Sequence, residues 1–152
     1  MTTTRLLVVA AIAAGLLAVF LAVRPHKAPV LPRFTPGVAS PEVTQANIGD
    51  TVCRTGWTKT IRPPVAYTNA LKLKQMRRYG ERGAPSAYQE DHLISLELGG
   101  DPSDPRNLWP EPYPRASTVD QLENELNHEV CTGTLSLQAA QDKESELKHT
   151  QG

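Results

Sequence analysis

Glu90-Asp91-His92, followed by Gly99-Gly100 and then by Asn107-Leu108, is the stretch of this chain whose residue types and spacing suit chemistry. An imidazole titrates near neutrality, at about 6.5 when unperturbed, and so can exchange a proton at working pH. Carboxylate and amide oxygens favour a hard cation such as Mg²⁺, with Mn²⁺ or Zn²⁺ as the alternatives. A dedicated zinc site would call for several His or for paired cysteines, and neither is present. Taken singly, each piece has a plainer reading: Asp-His is a helix cap or a surface pair, and Gly-Gly-Asp-Pro is a turn. A regular strand sends Asp91 and His92 to opposite faces, so a shared pocket requires that they sit at a strand end or a bulge.

The elements that must position these residues follow from local pattern. Asp91 to Leu96 reads as a short extended run entering the turn Gly99-Gly100-Asp101-Pro102. Asn107 to Trp109 reads as a second strand, stopped by Pro110, Pro112 and Pro114. A helix is predicted from about Thr118 to Cys131, with Val119, Leu122, Leu126 and Val130 on one stripe. Glu123, Asn127 and Asp120 border that stripe, and His128 lies toward solvent. Upstream, Thr51 to Ile61 reads as extended chain with a turn at Gly56. A basic helix over Asn69 to Tyr79 is capped by Thr68 and ended by Gly80. Ser40-Pro41-Glu42 has the signature of a short helix start, and Ser136 caps a last helix through about Leu147.

Strand, Gly-Gly turn, strand and helix form a ββα unit over about residues 90–131. In that order, Asp91-His92, Gly99-Gly100 and Asn107-Leu108 resemble the HNH endonucleases, whose ββα-metal fold reads Asp-His, Gly-Gly, Asn-Leu and then a helix. The wider set of an N-terminal Cys, Gly-Trp-Thr, Asp-His-Leu-Ile, Asn-Leu-Trp-Pro-Glu and a terminal Val-Cys looks like a group of exported HNH-like bacterial proteins. The resemblance implies that His92 is the general base that deprotonates the water attacking a phosphodiester. It implies that Asp91 holds a divalent cation, Mg²⁺ first, and that Asn107 ligates the metal or orients its neighbours. Ser95 stands where the family often has Pro. The third motif position, on the helix, falls to Asn127 or Asp120. Lys72, Lys74, Arg77, Arg78 and Arg106 are the candidates for phosphate contact, and a merely solvated basic helix is the competing reading. Trp57 and Trp109 are expected in the core rather than as platforms for bases.

The chain has 152 residues with 16 Lys+Arg and 16 Asp+Glu, so its formal charge is zero. That zero is a cancellation: Arg54 to Arg82 carries +7 and Gly83 to Gly152 carries −9. An asymmetry of this kind points to a charged partner, DNA or RNA, without requiring one. Leu6 to Val23 is an uninterrupted apolar stretch flanked by Arg5 and Arg24, read as a transmembrane anchor or signal segment within residues 1–23. A Pro-rich tether follows over 24–39, and residues 40–152 form one domain, too short and too proline-rich for a coiled coil or a doubly wound sheet. Behind an export segment, Cys53 and Cys131 read as a disulfide, with two buried thiols as the alternative. The expected protein is therefore α+β: a small, loop-rich, extracytoplasmic domain with an HNH-like ββα core, extra helices and one disulfide. Its expected activity is metal-dependent hydrolysis of DNA or RNA without a small-molecule cofactor. The competing class is a non-catalytic binding or structural module that keeps the fold.

Overall fold

The computed structural model describes residues 37–150. The anchor or signal segment and most of the tether lie outside them. Among the described residues no helix is long and apolar enough to cross a membrane. Four helices and one hairpin make up the domain: α1 (Trp57–Ile61), α2 (Val65–Tyr79), β1 (Tyr88–His92), β2 (Leu108–Pro112), α3 (Tyr113–Cys131) and α4 (Leu137–Thr150). Short 3₁₀ turns at Gln45–Asp50, Pro85–Ala87 and Leu96–Leu98 join them.

Proline placement explains most of the boundaries that differ from expectation. β2 runs through Pro110 instead of ending there. The ladder pairs Asp91 with Trp109 and Glu90 with Pro110, and the Leu93 amide donates to Asn107 O at 2.8 Å. That bond puts Trp109 and Glu111 in the hydrogen-bonded pairs of the antiparallel ladder, so Pro110 and Pro112 occupy positions that need no amide donor. α3 begins at Tyr113 rather than Thr118, because Pro114 falls in the first helical turn, where an N–H would have no partner. α2 likewise starts at Val65, directly after Pro64. Thr68 therefore lies inside the helix, bonded to the Val65 carbonyl, and does not cap it. Gly80 ends α2 as expected, with φ 72°.

Trp57–Ile61 is helical rather than extended. Its Thr and Ile residues favour a strand locally, but Gly56 turns the chain at φ 79° and Trp57 is pulled into the core. The first 3₁₀ turn is boxed by Thr44 and Asn47, four residues beyond the expected start at Ser40. Ser136 caps α4 through its hydroxyl, which accepts from the Ala139 amide at 3.2 Å. Residues of the expected tether already belong to the fold: Ala39 bridges to Gly100, and the Val38 amide donates to Asn107.

The main core gathers Val43, Val52, Trp57, Ile94, Leu98, Leu126, Val130, Leu137 and Ala140. Leu93 and Trp109 form a smaller cluster against Tyr79. Both tryptophans are thus core residues. The Cys53–Cys131 disulfide closes a loop with a sequence separation of 78 and ties the N-terminal segment to the end of α3. In the loop-entropy account a closure of that length stabilises by about 4 to 5 kcal/mol. It also points to an oxidising, extracytoplasmic compartment.

Candidate functional site

The loop between β1 and β2 is built around Asn107 and the glycine pair. Asn107 is wholly buried. Its Oδ1 accepts from the Val38 and Ile94 amides at 3.0 and 2.9 Å, and its Nδ2 donates to the Ile94 and Asp101 carbonyls at 3.0 and 2.9 Å. All four bonding positions of the amide are filled. Gly100 lies so close that a Cβ there would stand 1.8 Å from Ile94 O and 2.7 Å from Asn107 Nδ2. Only glycine fits, which accounts for the second Gly of the pair. Asn107 therefore stitches the loop to the N-terminal segment and has no lone pair left for a metal.

Register alternation divides the Glu90-Asp91-His92 motif between the two faces of the hairpin. β1 spans Tyr88–His92 and not the expected Asp91 to Leu96, so the pair does stand at the strand end, yet pairing stays regular and without a bulge through His92↔Leu108 and keeps the two side chains on opposite faces. Tyr88, Glu90 and His92 face the side of α2, and Asp91 faces the side of α3 and α4. The structure therefore does not bring the Asp91 and His92 side chains into one pocket.

On the α2 side, His92 is 6% exposed, and its Nε2 lies 3.1 Å from the Pro102 carbonyl oxygen. Burial pushes the imidazole below its ordinary range, against the Pro102 bond and the Asp91 charge, which favour the protonated form. Glu90 has both carboxyl oxygens buried without a hydrogen-bond partner. Burial raises it to about 8 despite the opposing charge of Lys72. Lys72 itself donates to Tyr88 O at 2.9 Å. Lys74, Arg77 and Arg78 are exposed along α2. Arg106 is spent on Asp104, with Nη2–Oδ2 at 2.6 Å, although its side chain remains 72% exposed.

The other face holds a buried charge cluster. Lys148 Nζ lies 2.5 Å from His92 O, 2.6 Å from Glu123 Oε1, 3.2 Å from Glu144 Oε1 and 3.3 Å from Asp91 Oδ2. The lysine side chain is completely enclosed. Burial alone would strip its proton, but Asp91, Glu144 and Glu123 hold it well above the ordinary lysine range. Asp91 is likewise kept ionised against burial, chiefly by the charge of Lys148. Burial first, then the neighbouring Asp91, lifts Glu111 to about 9, so Glu111 is protonated near neutrality. Arg115 sits 3.4 Å from Glu111 and 5.2 Å over the Trp109 ring, and also donates to the Lys148 carbonyl. Burial raises Glu123 to about 8 and raises Glu144 too, each against the pull of Lys148.

These placements decide whether the donor set fits a divalent cation. Asp91, Glu123 and Glu144 all converge on one ammonium. Asn127 sends its Nδ2 to the Val52 and Glu97 carbonyls at 3.1 and 2.8 Å, and Asp120 is exposed on α3. Neither reaches the motif. Among the described residues no group of three or more His, Cys, Asp or Glu could hold a metal ion. As arranged, the expected ligands do not fit one.

Sequence reasoning named Asp91 and His92 but passed over Lys148, Glu111 and Glu144, and placed Glu123 only at the border of its stripe. One signal for α4 was available. Leu137, Ala140, Gln141, Glu144 and Lys148 fall on a single helical face, and all are buried. Compared with family models, with curated proteins and with solved structures, the chain finds no match.

Proposed function

We propose that this protein is an exported phosphodiester hydrolase of the HNH-like class, acting on DNA or RNA and tethered to the cell envelope through residues 6–23. The observation that carries the reading is the His92 Nε2 to Pro102 O contact of 3.1 Å. A carbonyl can only accept, so Nε2 keeps its hydrogen and Nδ1 holds the basic lone pair. Burial keeps that imidazole neutral and therefore ready to act as a base.

Glu90, on the same face of β1, remains protonated at neutral pH and supplies the matching acid. A water oxygen attacks phosphorus and gives its proton to His92 Nδ1. The bond from phosphorus to the leaving oxygen breaks, and that oxygen takes the Glu90 proton. Lys72 lies on the hairpin side of α2, next to Glu90, while Lys74, Arg77 and Arg78 stand on its exposed side and suit a phosphate backbone that crosses the helix. No step is assigned to a metal, since the donors are otherwise engaged.

A second reading, the non-catalytic module, is favoured by the small exposure of His92 and by the complete internal bonding of Asn107. Nicking of supercoiled plasmid and cleavage of labelled RNA by the disulfide-bonded chain separate the two. Loss of cleavage on His92→Ala, by the 10²- to 10⁴-fold or so typical of a general base, supports hydrolysis. Equal cleavage by wild type and variant, or none by either, leaves the module.

A further inference from the structure

We infer that the Lys148 ammonium is the resident cation of the ββα unit, filling by covalent attachment the space between hairpin and helices on which three carboxylates converge, so that the folded wild-type chain holds no divalent ion there. Four oxygens surround one nitrogen at 2.5 to 3.3 Å, and they come from β1, α3 and α4. Carboxylates and a backbone carbonyl on three separate elements are the donors a hard cation selects. Their orientation is fixed from behind. The Ser95 amide donates to Glu144 Oε2 at 2.9 Å, and Asp91 is set by its place in the β1–β2 ladder opposite Trp109. Arg115 anchors the backbone of Lys148 itself. A surface ion pair has no such support, and nothing of this lysine reaches solvent.

The ammonium does two things in that position. It neutralises Asp91 at the turn where β1 ends, and through its bond to His92 O it fixes the backbone that aims the imidazole at Pro102. Lys148 is thus a positioning residue for His92. A divalent ion entering the same cage would have to displace an ammonium that cannot diffuse away. It follows, on the hydrolase reading, that cleavage persists in EDTA.

Mn²⁺ binding to the intact, disulfide-bonded chain tests the inference independently of activity, with free Mn²⁺ measured by electron paramagnetic resonance and melting followed with and without the ion. Wild type is expected to show no saturable Mn²⁺ site. Lys148→Ala empties the cage and is expected to gain one Mn²⁺ per chain and to be stabilised by it, and adding Glu123→Gln should abolish that gain. Saturable one-to-one binding by wild type, lost on Glu123→Gln, overturns the inference. So does a folded Lys148→Ala that takes up no Mn²⁺. If the alanine variant has no cooperative melt, the wild-type titration alone decides. Failure of the hydrolase reading is seen separately, as absence of cleavage under any condition, and leaves the Mn²⁺ result standing.

Discussion

Glu90 and His92 are two residues apart on one strand face, and burial moves them in opposite directions, leaving a neutral acid beside a neutral base. For Glu90 this ties folding to proton binding. An unfolded glutamate loses its proton near 4.3 or so, whereas the folded one keeps it to about 8. Between those values the folded state binds the extra proton, so stability falls as pH rises, and above the folded value the loss is complete. Glu90→Gln removes this dependence and keeps the shape. Urea unfolding should show the variant gaining on wild type from pH 5 to pH 8 and by a constant amount beyond. Glu111 and Glu123 titrate alike in both proteins and cancel. A gap that does not change across the window would mean that Glu90 is not held protonated. The same variant tests the acid role: cleavage of nucleic acid should drop, while bis(p-nitrophenyl) phosphate, whose leaving group needs no proton, should be largely spared.

The hairpin and its loop owe their geometry to Asn107, which holds together residue 38, both backbone groups of Ile94 and the Asp101 carbonyl. Removing that amide orphans buried backbone groups, each worth about 1 to 3 kcal/mol. Asn107→Ala should therefore cost roughly 3 kcal/mol or more in urea unfolding, well beyond Asn127→Ala, which breaks two bonds. Equal costs would contradict the stitching role. The order of strand, glycine pair, strand and helix was legible because period, turn chemistry and caps are local. Gly80 and Ser136 follow from the same local chemistry, whereas the Cys53–Cys131 pair follows from the export segment and the absence of any other cysteine. Pro110 is no stop because it stands where the ladder needs no amide hydrogen, and Pro114 likewise opens α3. Trp57–Ile61 misled because a tertiary contact outweighed strand propensity. The charge cluster was hidden by distance: Lys148 meets Asp91 across 57 residues. Glu144 and Lys148 have the i,i+4 spacing of an ordinary solvated pair, and only the phase of Leu137 and Ala140 says that they point inward.

At the scale of the molecule, the formal zero charge misstates what a polyanion would meet. Glu90 and Glu111 are raised to about 8 and about 9, so near neutrality the folded chain is more positive than its composition implies. Much of the acidic excess after Gly83 is thereby internal, protonated or paired with Lys148 and Arg115. The basic excess before it stays outside, because Lys74, Arg77 and Arg78 line the exposed side of α2. Binding to duplex DNA or to RNA should accordingly be electrostatic and local to that helix. Each cation that neutralises a phosphate contributes about 0.9 to the slope of log affinity against log salt on duplex DNA. Replacing Lys74, Arg77 and Arg78 together by Gln should lower that slope by about 2 to 3. The melting temperature should stay near that of wild type, since none of the three is buried. An unchanged slope would place the nucleic acid elsewhere on the surface than the exposed side of α2.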